Sequence, residues 1–134
     1  MSEEVDHKGP FHPAGDWQRA KELERRLEQG ERLTLDEEIR DLLRAIGADV
    51  GLAPELVVER LQSLDGAERL LREARARIRD GSHALTRAMN QAWDKARGGS
   101  PDEGCAVLEE FERTAEVAWY SECARREAHG TLRW

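Results

Sequence analysis

Apolar or small side chains recur at Leu71, Ala74, Ile78, Ser82, Leu85, Met89, Ala92 and Ala96, with spacings of three and four that continue unbroken across Asp80-Gly81-Ser82. A stripe of this period lines one face of an α-helix. It predicts a single amphipathic helix over about 66–97, roughly 48 Å long at 1.5 Å per residue. Gly98-Gly99-Ser100 interrupts the pattern, and a second helical stretch of nearly equal length follows. The second half of the chain is therefore expected to form a long antiparallel helical hairpin. Gly81 is the weak point of its first arm, costing about 1 kcal/mol relative to Ala. A break there, with Ser82 capping a new helix, is the alternative to continuity.

The first half carries shorter helical patterns. Residues 1–15 hold the breaker clusters Gly9-Pro10 and Pro13-Ala14-Gly15 and are expected to form a flexible arm ahead of one helical domain, 16–134. Asp16 can cap a first helix with Trp17, Ala20, Leu23 and Leu27 along one stripe and Gly30 at its end. Thr34-Leu35-Asp36-Glu37 reads as a capping box opening a second helix, with Leu35, Ile39, Leu42, Leu43 and Ile46 inward and Gly47 closing it. Pro54 starts a third, with Val57, Leu61 and Leu64 inward. Asp65-Gly66-Ala67-Glu68 and Ser100-Pro101-Asp102-Glu103 are two further capping boxes, opening the two arms of the hairpin. The last helix carries Leu108, Phe111, Ala115 and Ala118 inward and fades near His129-Gly130. The expected fold is all-α: a helical bundle of three shorter helices packed on the long hairpin.

Charge narrows the functions open to such a chain. The net charge of −7 opposes general binding to nucleic acid or anionic membranes, both of which need a cationic surface. It suits a basic protein partner, and also simple solubility. The sign is unevenly distributed: net +4 over 66–97, −7 over 1–65 and −4 over 98–134. Arg69, Arg72, Arg75 and Arg79 fall on adjoining turns of the long helix, where they can pair with acidic neighbours or present a patch to an anion or partner. No apolar run approaches the ~18 residues of a membrane span, and Met1-Ser2-Glu3-Glu4 lacks the basic start of a signal peptide, so a cytoplasmic location is expected. Cys105 and Cys123, placed on one helix roughly 27 Å apart by helical rise, are expected to be free thiols.

The chemistry-bearing residues form no catalytic pattern. His7, His12, His83 and His129 are scattered, without metal-site spacing toward Cys, Asp or Glu. A phosphate-binding glycine loop, a nucleophile elbow and a His-Glu-x-x-His segment are all missing. The expectation is a protein that is not an enzyme and uses no cofactor or metal. Residues 38–64 imitate a helix-turn-helix, but the second helix would present Glu55 and Glu59 against only Arg60, and acids repel DNA phosphates. Trp119, Tyr120 and the terminal Trp134 gather aromatic surface at the end of the chain. They either pack onto the base of the hairpin or provide the best available partner-binding surface, because Trp and Tyr are enriched at interface hot spots.

Asp16-Trp17, the segment from Leu27 to Leu35 followed by Glu38-Ile39-Arg40-Asp41-Leu42-Leu43, and Gly66-Ala67 through Ile78-Arg79-Asp80-Gly81-Ser82 resemble the DUSAM domain of myxobacteria. The likeness covers roughly Asp16 to Met89, and Trp119-Tyr120-Ser121-Glu122-Cys123 departs from the pattern. The resemblance implies a lineage-restricted, paralogue-rich domain without established activity, so no catalytic residue carries over. The residues and the resemblance together lead to one expectation: a non-enzymatic, cytoplasmic protein–protein interaction module, acting as an adaptor or a toxin-neutralising immunity protein. Its partner is another protein, or a second copy of the chain. The alternative is a nucleic-acid-binding transcriptional regulator using 38–64.

Overall fold

A computed structural model describes residues 14–131, whose regular elements are all helices, with no strand among the described residues. The helices are α1 (Ala14–Glu28), α2 (Glu37–Asp49), α3 (Pro54–Arg60), α4 (Leu64–Arg97), α5 (Pro101–Thr114) and α6 (Ala118–Arg126), followed by a π-helical turn, Glu127–Thr131. The chain divides into two compact units, 1–77 and 78–134. The expected flexible arm lies almost wholly outside the described residues; Ala14 and Gly15 already belong to α1, which places Asp16 in the first helical turn and not at the cap.

In the first unit, α2 buries Ile39, Leu42, Leu43 and Ile46 as its stripe predicts, with Val50, Leu52, Val57, Leu61, Leu70 and Leu71 completing the core. The helix starts are set differently from the expected capping boxes. α2 begins at Glu37, and its cap is Asp36, whose Oδ1 accepts from the Ile39 N–H at 2.9 Å. Thr34 is held outside the helix, its carbonyl accepting the Asp36 N–H at 2.9 Å. α4 begins at Leu64, with Ser63 Oγ accepting the Gly66 N–H at 2.9 Å, so Asp65 lies inside the helix. Ser100 caps α5 by position, but its side chain makes no cap bond.

Helix ends follow one rule. Gly30, Gly51 and Gly99 take φ values of +95°, +79° and +97°, the left-handed conformation that favours glycine. Each follows a helix and closes the same pair of bonds, for example Gly51 N–H to the Ala48 carbonyl and Leu52 N–H to the Gly47 carbonyl. Gly47, expected to close α2, is instead inside it. A Cβ there would meet Val57 Cγ2 at 2.9 Å, so its role is to let α3 approach. Leu64, expected to face inward from α3, is the half-buried first residue of α4.

Ion pairs tie the first unit together. Arg75 pairs with an acidic neighbour, one of the two expected roles, turning inward to Glu24 of α1 at 2.9 Å, with both side chains less than 15% exposed (13% and 12%). Arg69 and Arg72 remain exposed. Trp17 Nε1–H donates to Asp49 at 3.2 Å, and burial pushes the Asp49 carboxyl above its usual range.

Glu68, only 7% exposed, accepts from Arg32 Nε at 2.9 Å and from the Leu33 N–H at 3.1 Å, clasping the α1–α2 connection onto α4. The Arg32 hydrogen bond holds its carboxyl below the usual range against the opposing effect of burial. A carboxyl depressed on folding stabilises fully above its unfolded value, about 4.3, and that stabilisation is lost as pH falls through the folded value. Glu68→Gln is therefore expected to cost about 1–2 kcal/mol at neutral pH, allowing for the exposure of Arg32. Melting curves across pH 2–7 check this: the gap between wild type and variant should close in acid.

Candidate functional site

The second arm of the expected hairpin is not one helix. α5 stops at Thr114, whose hydroxyl donates to the Glu110 carbonyl at 3.1 Å, and Ala115 turns extended at φ −71°, ψ 137°. Val117 is also extended, and α6 starts a new direction from Ala118. The stripe read through Ala115 and Ala118 therefore breaks where it was expected to continue. The physical reason is Tyr120. Its ring lies against Gly81 of α4, where a Cβ would meet ring atoms at 2.7 and 2.8 Å, and its hydroxyl donates to the Ile78 carbonyl at 2.9 Å. Gly81 does not break α4; it is the notch that admits the ring. This docking requires the chain to leave the α5 axis.

Tyr120 is 7% exposed and belongs to the core of the second unit, so of its two expected places it takes the packed one and not the binding surface. Trp119 is half-buried, and Trp134 lies outside the described residues, as do His7 and His12. His83 and His129 are exposed on separate elements. Among the described residues, no group of three or more His, Cys, Asp and Glu is placed to hold a metal. The cysteines are free thiols on different helices, so the spacing along one helix no longer applies. Cys105 is buried, with its thiol donating to the Ala128 carbonyl at 3.5 Å, while burial pushes the half-buried Cys123 thiol up. The π-helical turn is tied to α4 by Trp93 Nε1–H donating to Glu127 at 2.8 Å.

What the second unit leaves open is a trough between α4 and α5. Ala88 and Gln91 form one side; Ala106, Val107, Glu110, Phe111 and Thr114 form the other. The trough encloses about 490 Å³ and is broadly open to solvent. It lies over a core of Ala92, Cys105 and Leu108, against which Leu85, Met89, Val107 and Phe111 pack. Small residues make the opening: Ala88 and Ala106 stand where longer side chains would close the seam between the helices. α5 is acidic, carrying Asp102, Glu103, Glu109, Glu110 and Glu112 against Arg113. Lys95 pairs with Glu103 at 3.7 Å, and Glu110 pairs with Arg113. The sequence reading missed this trough because it followed the apolar stripe inward. The available signal was the row Ala88, Gln91, Ala106, Glu110 at the stripe's edge.

The helix-turn-helix-like segment consists of α2 and a seven-residue α3. That second helix exposes Glu55, Val58 and Glu59. Its arginine, Arg60, forms two bonds to Glu73, at 3.1 and 2.9 Å.

These features define an all-α protein with a well-packed core and an apolar trough that has Glu110 at its edge. The chain belongs to the family described as "Protein of unknown function (DUF2379)", which it matches over residues 15–131, from α1 through the π-helical turn. No match was found among curated proteins or among solved structures. No helix among the described residues is long and apolar enough to cross a membrane.

Proposed function

We propose that the protein is a non-enzymatic protein–protein interaction module whose α4–α5 trough receives a basic amphipathic helix from another protein. The observation that carries this reading is the open apolar trough, at whose edge Glu110 stands. Helix-in-groove recognition buries an apolar stripe in such a seam, and a basic flank on the incoming helix meets Glu110 at its edge. Trp119 and the terminal Trp134 are a second proposed contact. The finer identity we propose is the DUSAM group of myxobacteria, on the resemblance of residues 16–89. Within it, the module acts in the cytoplasm as an adaptor or a toxin-neutralising immunity protein, and the adjacent gene separates the two: a toxin gene favours immunity, a kinase or regulator gene an adaptor.

The test is partner capture by the tagged full chain, compared with Ala88→Arg and Ala106→Arg. Both substitutions fill the trough and repel a basic helix without removing core atoms. Each is expected to weaken capture at least about tenfold, equivalent to about 1.4 kcal/mol, with melting within a few degrees of wild type. Undiminished capture by both variants contradicts the trough as the site. Loss confined to Trp119→Ala moves the site to the end of the chain. Duplex DNA binding that falls steeply with salt supports the regulator instead.

A further inference from the structure

We propose a second site, independent of the trough: the cleft between α1 and residues 31–39 binds a free α-amino acid with an aliphatic side chain. The cleft holds about 220 Å³. That is below the ~300 Å³ at which pockets for drug-sized ligands begin, and a molecule of amino-acid size fits within it.

The lining separates by chemistry. Leu27, Leu33 and Ile39 are buried beneath it, giving an apolar floor. α1 contributes two cations, Arg19 and Arg26. The opposite side contributes the carboxylates Glu31, Asp36 and Glu38 and one cation, Arg32; Arg32 is engaged by Glu68 and Asp65, and Asp36 by the Ile39 N–H, which leaves Glu31 and Glu38 for a ligand. Arg19 and Glu38 meet across the cleft at 2.9 Å, with 47% and 71% of their side chains exposed. An exposed pair of this kind is worth at most about 1 kcal/mol and opens readily.

The pair decides which ligand suits the cleft. A lone anion would separate Arg19 from Glu38 and leave that carboxylate facing it; a lone cation would strand Arg19 in the same way. A zwitterion replaces both halves at once, its carboxylate on Arg19 and Arg26, its ammonium on Glu38 and Glu31. Its side chain then lies on the leucine and isoleucine floor. Arg26 pairs with Glu22 at 3.6 Å, and this half-exposed pair would share the guanidinium with the ligand carboxylate.

Isothermal titration of the full chain with leucine, N-acetyl-leucine and leucinamide tests the proposal. Leucine is expected to bind, and each blocked derivative to bind at least about tenfold more weakly, because each lacks one of the two charges. Arg19→Gln and Glu38→Gln should each weaken leucine binding to a similar degree while melting near the wild-type temperature, the pair being exposed. Absence of binding up to about 10 mM leucine overturns the proposal. Equal binding of the blocked derivatives, or unchanged binding by both variants, also overturns it.

Discussion

Replacing Tyr120 with Ala is expected to lower the melting temperature by about 10–20 °C. The ring is a buried aromatic whose truncation leaves a cavity, a change that costs about 3–5 kcal/mol for residues of this size. For a chain of 134 residues, each kcal/mol corresponds to about 3–4 °C. Tyr120→Phe isolates the hydroxyl: it leaves the ring against Gly81 and strips only the bond to the Ile78 carbonyl, at about 1 kcal/mol. Thermal melts of the two variants check both figures. A Tyr120→Ala melt within about 3 °C of wild type would return Tyr120 to the surface.

Gly66→Ala should be comparably severe, although Ala is the better helix former by about 1 kcal/mol. Gly66 lies in the first turn of α4, where the α3–α4 connection doubles back so tightly that a Cβ would sit 2.3 Å from the Arg60 carbonyl oxygen and 3.0 Å from its carbon. Both are backbone atoms, so no rotamer change relieves the clash. The turn itself must open, disturbing Leu61, the Ser63 cap and the Arg60–Glu73 pair. A cost of about 3 kcal/mol or more follows, at the upper end of overpacking effects. Denaturant unfolding gives the value directly. Gly15→Ala, on an open face with nothing within 4 Å, is the control and should be neutral or stabilising.

The inward stripes of α2 and α4 were legible because a periodic apolar pattern has one structural meaning over several turns. Ile39, Leu42, Leu43 and Ile46, and then Leu71, Ala74, Ile78 and Ala92, are all buried. Helix ends were less legible. Capping boxes depend on three or four residues, and Thr34, Asp36, Ser63 and Asp65 are all competent caps. The choice among them is made by distant groups, such as Glu68 holding Leu33 away from the helical path. Glycine was ambiguous for the same reason: Gly30 and Gly51 end helices, whereas Gly47, Gly66 and Gly81 permit close approach, and local sequence does not separate these roles. The break after Thr114 was hidden because Ala115 and Ala118 extend the stripe well enough. Only the docking of Tyr120 forty-two residues away on Ile78 shows why it ends there. The trough was not legible, since its depth depends on how both helices pack.

The last helices are locked onto α4 by a ring in a glycine notch, leaving the α4–α5 trough as the open face. The direct measurement is the melting shift caused by Gly81→Ala in two backgrounds. In the wild-type chain it should lower stability by about 1–3 kcal/mol, because the new methyl displaces the ring. In the Tyr120→Ala background the ring is gone, and the same substitution should raise stability by about 1 kcal/mol through helix propensity alone. The account predicts that reversal of sign. A Gly81→Ala effect of the same sign and size in both backgrounds would contradict it.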